Sequence, residues 1–271
     1  MELLKKRVYN RISKIFYLAE LLFKDLMRRR VTLLILFIIP ILFNIVILVI
    51  ISEKEDPVVF GILSDAAVRM ISRRSLSFVY MGCAAVSFLT SFLAFNLVFK
   101  RLQVDQRLAN CGYQPIEIIA GKMLVLIVLV FTISLYESLI ILPFLNPFHF
   151  SRLLAGFFLA GMIYSCYGLF IGAISKHELE GVFLIILVAN VDIGWLQNPM
   201  YFIESTNQQV IKSMPGFLPA QLANLGAFTN EFPLITLWGS ILYALIFLSG
   251  AIFVFWLRIK KRNRGYTSDA S

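Results

Sequence analysis

Long apolar runs separated by short polar or basic stretches set the pattern of this chain. They fall at residues 31–51, 78–99, 123–145, 153–174, 181–196 and 233–257. A helix crossing a bilayer needs roughly 20 apolar residues, so six spans are expected. The first has no charge, Asn44 as its one strongly polar residue, and Pro40 as a kink point. The third contains Glu137. In the fourth, Gly161, Ser165, Gly168 and Gly172 recur at spacings of four, three and four, a small-residue face on which another helix packs closely. The fifth run is 16 residues long and carries Asn190 and Asp192. At 1.5 Å per residue it spans about 24 Å, short of a ~30 Å hydrocarbon core, so the following chain is expected to dip back into the bilayer or thin it.

The connecting stretches have patterns of their own. In residues 1–30, Val8, Ile12, Ile15, Ala19, Leu22 and Leu26 recur at spacings of three and four among lysines and arginines. That spacing predicts an amphipathic helix, lying in the membrane interface or leading into the membrane from the cytosol. No short apolar core with a small-residue cleavage site follows the basic start, so the segment is not read as a signal peptide. In the stretch 52–77, Asp56-Pro57 reads as a turn, residues 58–63 as strand-like, and Ser64 or Asp65 as a helix cap. Residues 197–232 are too apolar for an ordinary solvated loop. Tyr201, Phe202 and Phe217 accompany Pro215, Gly216 and Pro219, which fits short re-entrant helices at the outer interface or a loop laying its aromatics on helix ends.

The most informative stretch is residues 100–122, KRLQVDQRLANCGYQPIEIIAGK. Gly112 is placed to end a helix, Pro115 suits the first turn of the next, and Glu117 lies near that turn's positive end. A helix-turn-helix hairpin on the membrane surface follows.

Composition agrees with the spans. Hydrophobic residues make up 59% of the 271 residues, against roughly 45–50% in soluble domains, and no stretch remains for a separate soluble domain. The fold class expected is all-α integral membrane, one transmembrane domain over 1–271. Charge sets the orientation. Of the 25 Lys and Arg, 19 lie in residues 1–30, the hairpin, Lys176 and the tail 258–271, leaving six in the alternate segments. The positive-inside bias therefore puts both termini and the hairpin in the cytoplasm of a plasma-membrane protein. The net charge of +9 suits an anionic lipid face rather than nucleic acid.

Candidate chemistry is sparse. Cys83, Cys111 and Cys166 suggest neither a disulfide framework nor a zinc site. His149 and His177 stand in turns without a metal-spaced neighbour. Gly121-Lys122 lacks the upstream glycine and the Ser or Thr of a phosphate-binding loop, so any ATP that drives this chain is held by another one. Glu137 and Asp192 break the apolar rule, each at a cost of ~2.5–3.5 kcal/mol on insertion scales. With Asn190 they could line a translocation path opening outward, or each could be satisfied by a neighbour and serve only packing.

The hairpin resembles that of the membrane subunits of type-2 ABC exporters, the ABC-transporter permease family. Arg101 to Asn110 looks like the family's short amphipathic helix and Gly112 like its turn. Pro115, Glu117, Gly121 and Lys122 match the opening of the third span, while Gln103, Val104, Asp105, Gln106 and Arg107 depart from the family's Glu-rich and Gly-Thr part. The resemblance implies an ATP-driven export permease, and an aromatic and aliphatic interior with few charges suits a hydrophobic or amphipathic cargo such as a lipid, peptide or drug. Two copies, or one with a related permease, would join a cytoplasmic ATPase dimer that holds ATP and magnesium. It also implies that the hairpin is the coupling helix, with Arg101, Asp105, Arg107, Leu108, Pro115, Glu117 and Lys122 at the ATPase contact. No catalytic residue is expected in this chain. Two other classes remain: an ion-coupled carrier or channel using Glu137 and Asp192, and an intramembrane enzyme.

Overall fold

The computed structural model describes residues 2–62, 68–199, 202 and 205–268, with side chains described between residues 11 and 258. Helix makes up 79% of it, which fixes the class as all-α. The helices are α1 (Glu2–Arg28), α2 (Arg30–Ile50), α3 (Arg73–Phe99), α4 (Leu102–Asn110), α5 (Pro115–Ile141) and α6 (Phe150–Ile174). They continue as α7 (Glu178–Ala189), a π-helical segment Asn190–Leu196, α8 (Gln208–Lys212), α9 (Phe217–Phe228) and α10 (Leu234–Ser268). Six of these stretches are long and apolar enough to cross a membrane, with α7 and the π-helical segment counting as one.

Burial sorts the helices into a centre and a rim. α3 and α6 are mostly buried and lie against each other, whereas α2 and α10 are mostly exposed. α2 turns only the stripe Leu36, Pro40, Asn44 and Ile47 inward, residues spaced by four, four and three. The small-residue face of α6 is what lets the centre close. A Cβ added at Gly168 would sit 2.1 Å from the Ser91 carbonyl oxygen of α3, and one at Gly172 3.0 Å from that of Phe95. The same helix meets α9 at Gly156, where a Cβ would be 2.5 Å from the Ala223 nitrogen. α9 is buried along nearly its whole length, so residues 217–228 are a packed helix and not a loop.

Several boundaries differ from the sequence expectation, each for a local reason. The third apolar helix begins at Pro115 rather than Met123, because the buried Lys122 continues the helix instead of ending it. It stops at Ile141 rather than Leu145, since Pro143 has no N–H to donate. The fifth begins at Glu178, where Glu178 and Glu180 meet the positive end of the helix. The helix of the sixth runs past Leu257 into the polar tail, as far as Ser268.

Asp56 and Pro57 form no turn but belong to a strand. β1 (Glu55–Val58) pairs antiparallel with β2 (Arg69–Ser72), with Asp56 opposite Ile71 and Val58 opposite Arg69. In a two-stranded ribbon each strand is an edge, so proline is tolerated. Arg73 holds Asp56 at 2.6 Å, which lowers that carboxyl below its ordinary range. Val58, Phe60 and Ile71 then pack on Leu225 of α9. The cap expected at Ser64 or Asp65, and Tyr201, lie outside the described residues; Val8 lies outside the described side chains.

On α1 the inward stripe is Leu18, Leu22 and Leu26. Ile12 is exposed, and Leu18 takes the place that the sequence pattern gave to Ala19. Leu18 meets α5 at Gly121, where a Cβ would lie 3.0 Å from its Cδ2.

The α3–α6 contact gives a test. Gly168→Ala is expected to destabilise the protein by about 1–3 kcal/mol, as overpacking does. Gly194→Ala, whose Cβ would meet nothing closer than 3.6 Å, is expected to change stability by less than about 1 kcal/mol. Thermal unfolding of the two variants in the same detergent measures the difference.

Candidate functional site: the hairpin and its ties to the bundle

The hairpin is built by local rules. α4 ends in a left-handed glycine, Gly112 with φ +87. The Gly112 N–H donates to the Ala109 carbonyl at 3.0 Å and the Tyr113 N–H to that of Leu108 at 3.1 Å, the paired bonds of a Schellman stop. Pro115 then opens α5, and the Gln114 N–H donates to Glu117 Oε2 at 2.9 Å. Two helices are thus reversed within four residues, with most terminal backbone groups satisfied inside the turn.

The hairpin is bound to the bundle through buried charge. Asp105 of α4 is 2% exposed and Lys122 of α5 is 0% exposed, and Lys122 Nζ donates to Asp105 Oδ2. Burial pushes the Asp105 carboxyl above the usual carboxylate range, and Lys122 and then Arg101 oppose that shift. Lys122 also lies 5.3 Å from the ring centroid of Phe255, so one lysine joins α4, α5 and α10.

Further ties reach the other helices at this end. Arg101 donates to Asp25 of α1, whose carboxylate also accepts from Arg29 at 3.0 Å. Lys14 donates to the Gly112 carbonyl at 3.4 Å and stands over the Tyr113 ring at 5.0 Å. Arg11 lies 3.7 Å from Glu117. Lys100, where α3 ends, pairs with Glu178 at the start of α7 at 2.8 Å. Arg258 of α10 caps α6 by donating to the Ala173 carbonyl at 2.9 Å. The exposed pairs among these add little each, and the buried one dominates.

The expected partner-contact residues therefore separate into two groups. Asp105, Glu117 and Lys122 are buried against their own chain and cannot face a partner directly. Arg101 is turned to Asp25, and Leu108 packs into the core formed by α1, α3, α5, α6 and α10. Pro115 is half-buried at the turn, and Arg107 is exposed. The outward face of α4 consists of Gln103, Val104, Arg107 and Asn110, with Val104 50% exposed. Of this face the sequence reading named Arg107 alone as a contact, although the spacing of one, three and three, opposite Leu102, Asp105 and Leu108, is a helical signal.

The residues proposed for a path do not converge. Asp192 is 2% exposed and fully engaged. It accepts from Tyr164 Oη at 2.5 Å, Gln197 Nε2 at 2.8 Å and the Gly216 N–H at 2.9 Å, which pins the π-helical segment to α6 and to the start of α9. Glu137 is 1% exposed and accepts from Asn44 Nδ2 at 2.9 Å. Asn190 points outward and donates to its own Ile186 carbonyl at 2.7 Å. Neither carboxylate lines an open cavity in this arrangement.

The fold defines an all-α, multi-pass membrane protein. No protein-family model matches the sequence, and no curated protein matches it.

The buried pair makes a direct prediction. Lys122→Met leaves Asp105 without a counter-charge and is expected to cost about 3–5 kcal/mol, whereas combining it with Asp105→Leu recovers most of that loss. Unfolding of the two single variants and the double variant gives the coupling energy.

Proposed function

We propose that the chain is the membrane-spanning subunit of an ATP-driven type-2 ABC exporter, and that it moves a hydrophobic or amphipathic substrate such as a lipid, a peptide or a drug. The observation that carries this reading is the hairpin. It presents a compact outward face, and behind that face it is tied by named side chains to α1, α5, α7 and α10. Such an element passes a push at the surface into several helices at once. An element hinged on a single contact would absorb the push by bending.

In this reading the hairpin is the coupling helix, and Gln103, Val104, Arg107 and Asn110 meet a cytoplasmic ATPase subunit. Asp105, Glu117, Lys122 and Arg101 act behind that contact by holding the hairpin in place. ATP and magnesium belong to the ATPase dimer, since this chain has no phosphate-binding loop. The basic excess at the hairpin end supports a cytoplasmic location for both termini and a place in the plasma membrane. α1 lies in the inner interface with Ile12, Phe16, Tyr17 and Leu21 turned to lipid. α8 and α9 are re-entrant helices of the outer half, and the exposed side of α2 receives a second permease copy or a related one.

An ion-coupled carrier is the second reading, favoured by one observation: Glu137 Oε2 is buried without a partner. Against it, Asp192 already has three donors and Asn190 faces outward.

Capture of an ATPase chain with the purified protein tests the first reading. Arg107→Glu with Val104→Asp is expected to reduce capture at least tenfold and leave the melting temperature unchanged, because both side chains are exposed. Full transport into vesicles with no ATPase and no nucleotide present would rule the exporter out.

A further inference from the structure

Two unpaired atoms face the contact between α2 and α5. Asn44 and Glu137 are both buried, and Asn44 Nδ2 donates at 2.9 Å to Glu137 Oε1 and at 2.9 Å to the Pro40 carbonyl. Both amide hydrogens are therefore used, which fixes which end of the amide meets the carboxyl. The remaining atom of each group, Asn44 Oδ1 and Glu137 Oε2, has no hydrogen-bond partner.

An ionised Glu137 makes this arrangement costly, because two acceptors are left without a donor in a dry interior. Adding one proton changes the count, since a protonated carboxyl is a donor at one oxygen and an acceptor at the other. We infer that Glu137 carries a proton on Oε2 and that it forms with Asn44 a closed acid–amide pair, a proton-holding site inside the bundle. Nδ2–H donates to Oε1, and Oε2–H donates to Oδ1. No bond to carbon changes, and the proton stays on Glu137.

Ser134 Oγ, one turn back on α5, is also unpaired. A serine hydroxyl in a helix can rotate onto the carbonyl of its own preceding turn, so it does not need the proton. α3 packs closely on the other carboxyl oxygen: a Cβ on Gly82 would lie 3.2 Å from Glu137 Oε1, 2.9 Å from Phe157 and 3.1 Å from Ile141. The titratable groups facing Glu137 are Cys83 of α3 and Tyr136 of its own helix. α6 brings Phe157 to this spot, and the only charged residue in α2 is Arg30 at its first position. With the proton present the pair holds α2 to the buried centre by two hydrogen bonds; without it only the bond from Asn44 Nδ2 to Glu137 Oε1 remains, and two acceptors face each other unpaired.

This inference does not rest on the exporter reading, and it is tested without transport. Wild-type protein in lipid nanodiscs at neutral pH is expected to show an infrared carbonyl band of a protonated carboxyl that Glu137→Gln lacks. Glu137→Gln supplies the same donor and acceptor as the acid, so its Tm is expected within about 2 °C of wild type. As the pH rises the wild type loses its proton and its Tm falls, while that of Glu137→Gln holds. The inference is overturned if no band disappears, or if Glu137→Gln melts more than about 5 °C lower or fails to fold. It is also overturned if sodium chloride, exchanged for choline chloride at fixed pH, stabilises the wild type and not the variant, because a metal cation would then sit between the two oxygens.

Discussion

A lysine side chain with no access to solvent sets the condition that the rest of this structure meets. Lys122 lies inside the bundle near the start of α5, and a lone ammonium there would cost several kcal/mol. Asp105 supplies its counter-charge and Phe255 an aromatic face. Because Asp105 comes from α4 and Phe255 from α10, satisfying one charge fixes three helices relative to each other. The outer pairs of Arg101 with Asp25 and of Lys100 with Glu178 extend that arrangement to α1 and α7.

The same rule governs polar groups deeper in the bundle. With no water in a bilayer core, a polar side chain must find its partner within the protein. Asp192 finds three, and in doing so joins a π-helical stretch to α6 and to the buried helix α9. π-Helical turns are uncommon, and this one turns Asp192 toward its donors while Asn190 stays outside. Glu137 and Asn44 complete the set, with a proton in the role that a donor side chain has elsewhere. Between these fixed points the helices meet through small residues, and the closest approach lies at Gly168 against Ser91.

How much of this was legible in the sequence depended on the range of the interaction. The helix stop at Gly112 and start at Pro115 with Glu117 follow from residues within four positions of one another, and both could be read. The six apolar stretches were equally plain, and so was the close-packing face of α6. Continuity was missed where charge was taken to mark the membrane edge: Lys122 was set outside the third span, yet the helix that starts at Pro115 runs unbroken through it, with the lysine buried inside. Partners far apart in the chain were not visible at all. Nothing in a local pattern joins Asp192 to Tyr164, 28 residues away, or Asn44 to Glu137, 93 residues away. Asp105 was placed at a partner contact through the resemblance of the hairpin, whereas the structure buries it against Lys122.

For function, the consequence is a division of labour within the hairpin. In the proposed reading the exposed Gln103, Val104, Arg107 and Asn110 meet the partner, while Asp105 and Lys122 make that face part of a rigid body. The most direct test of that claim is hydrogen exchange across residues 102–110 in wild type and Lys122→Met. The account predicts faster exchange throughout α4 in the variant, with α6 still protected. Exchange in α4 that is unchanged, or that rises equally in α6, would contradict it.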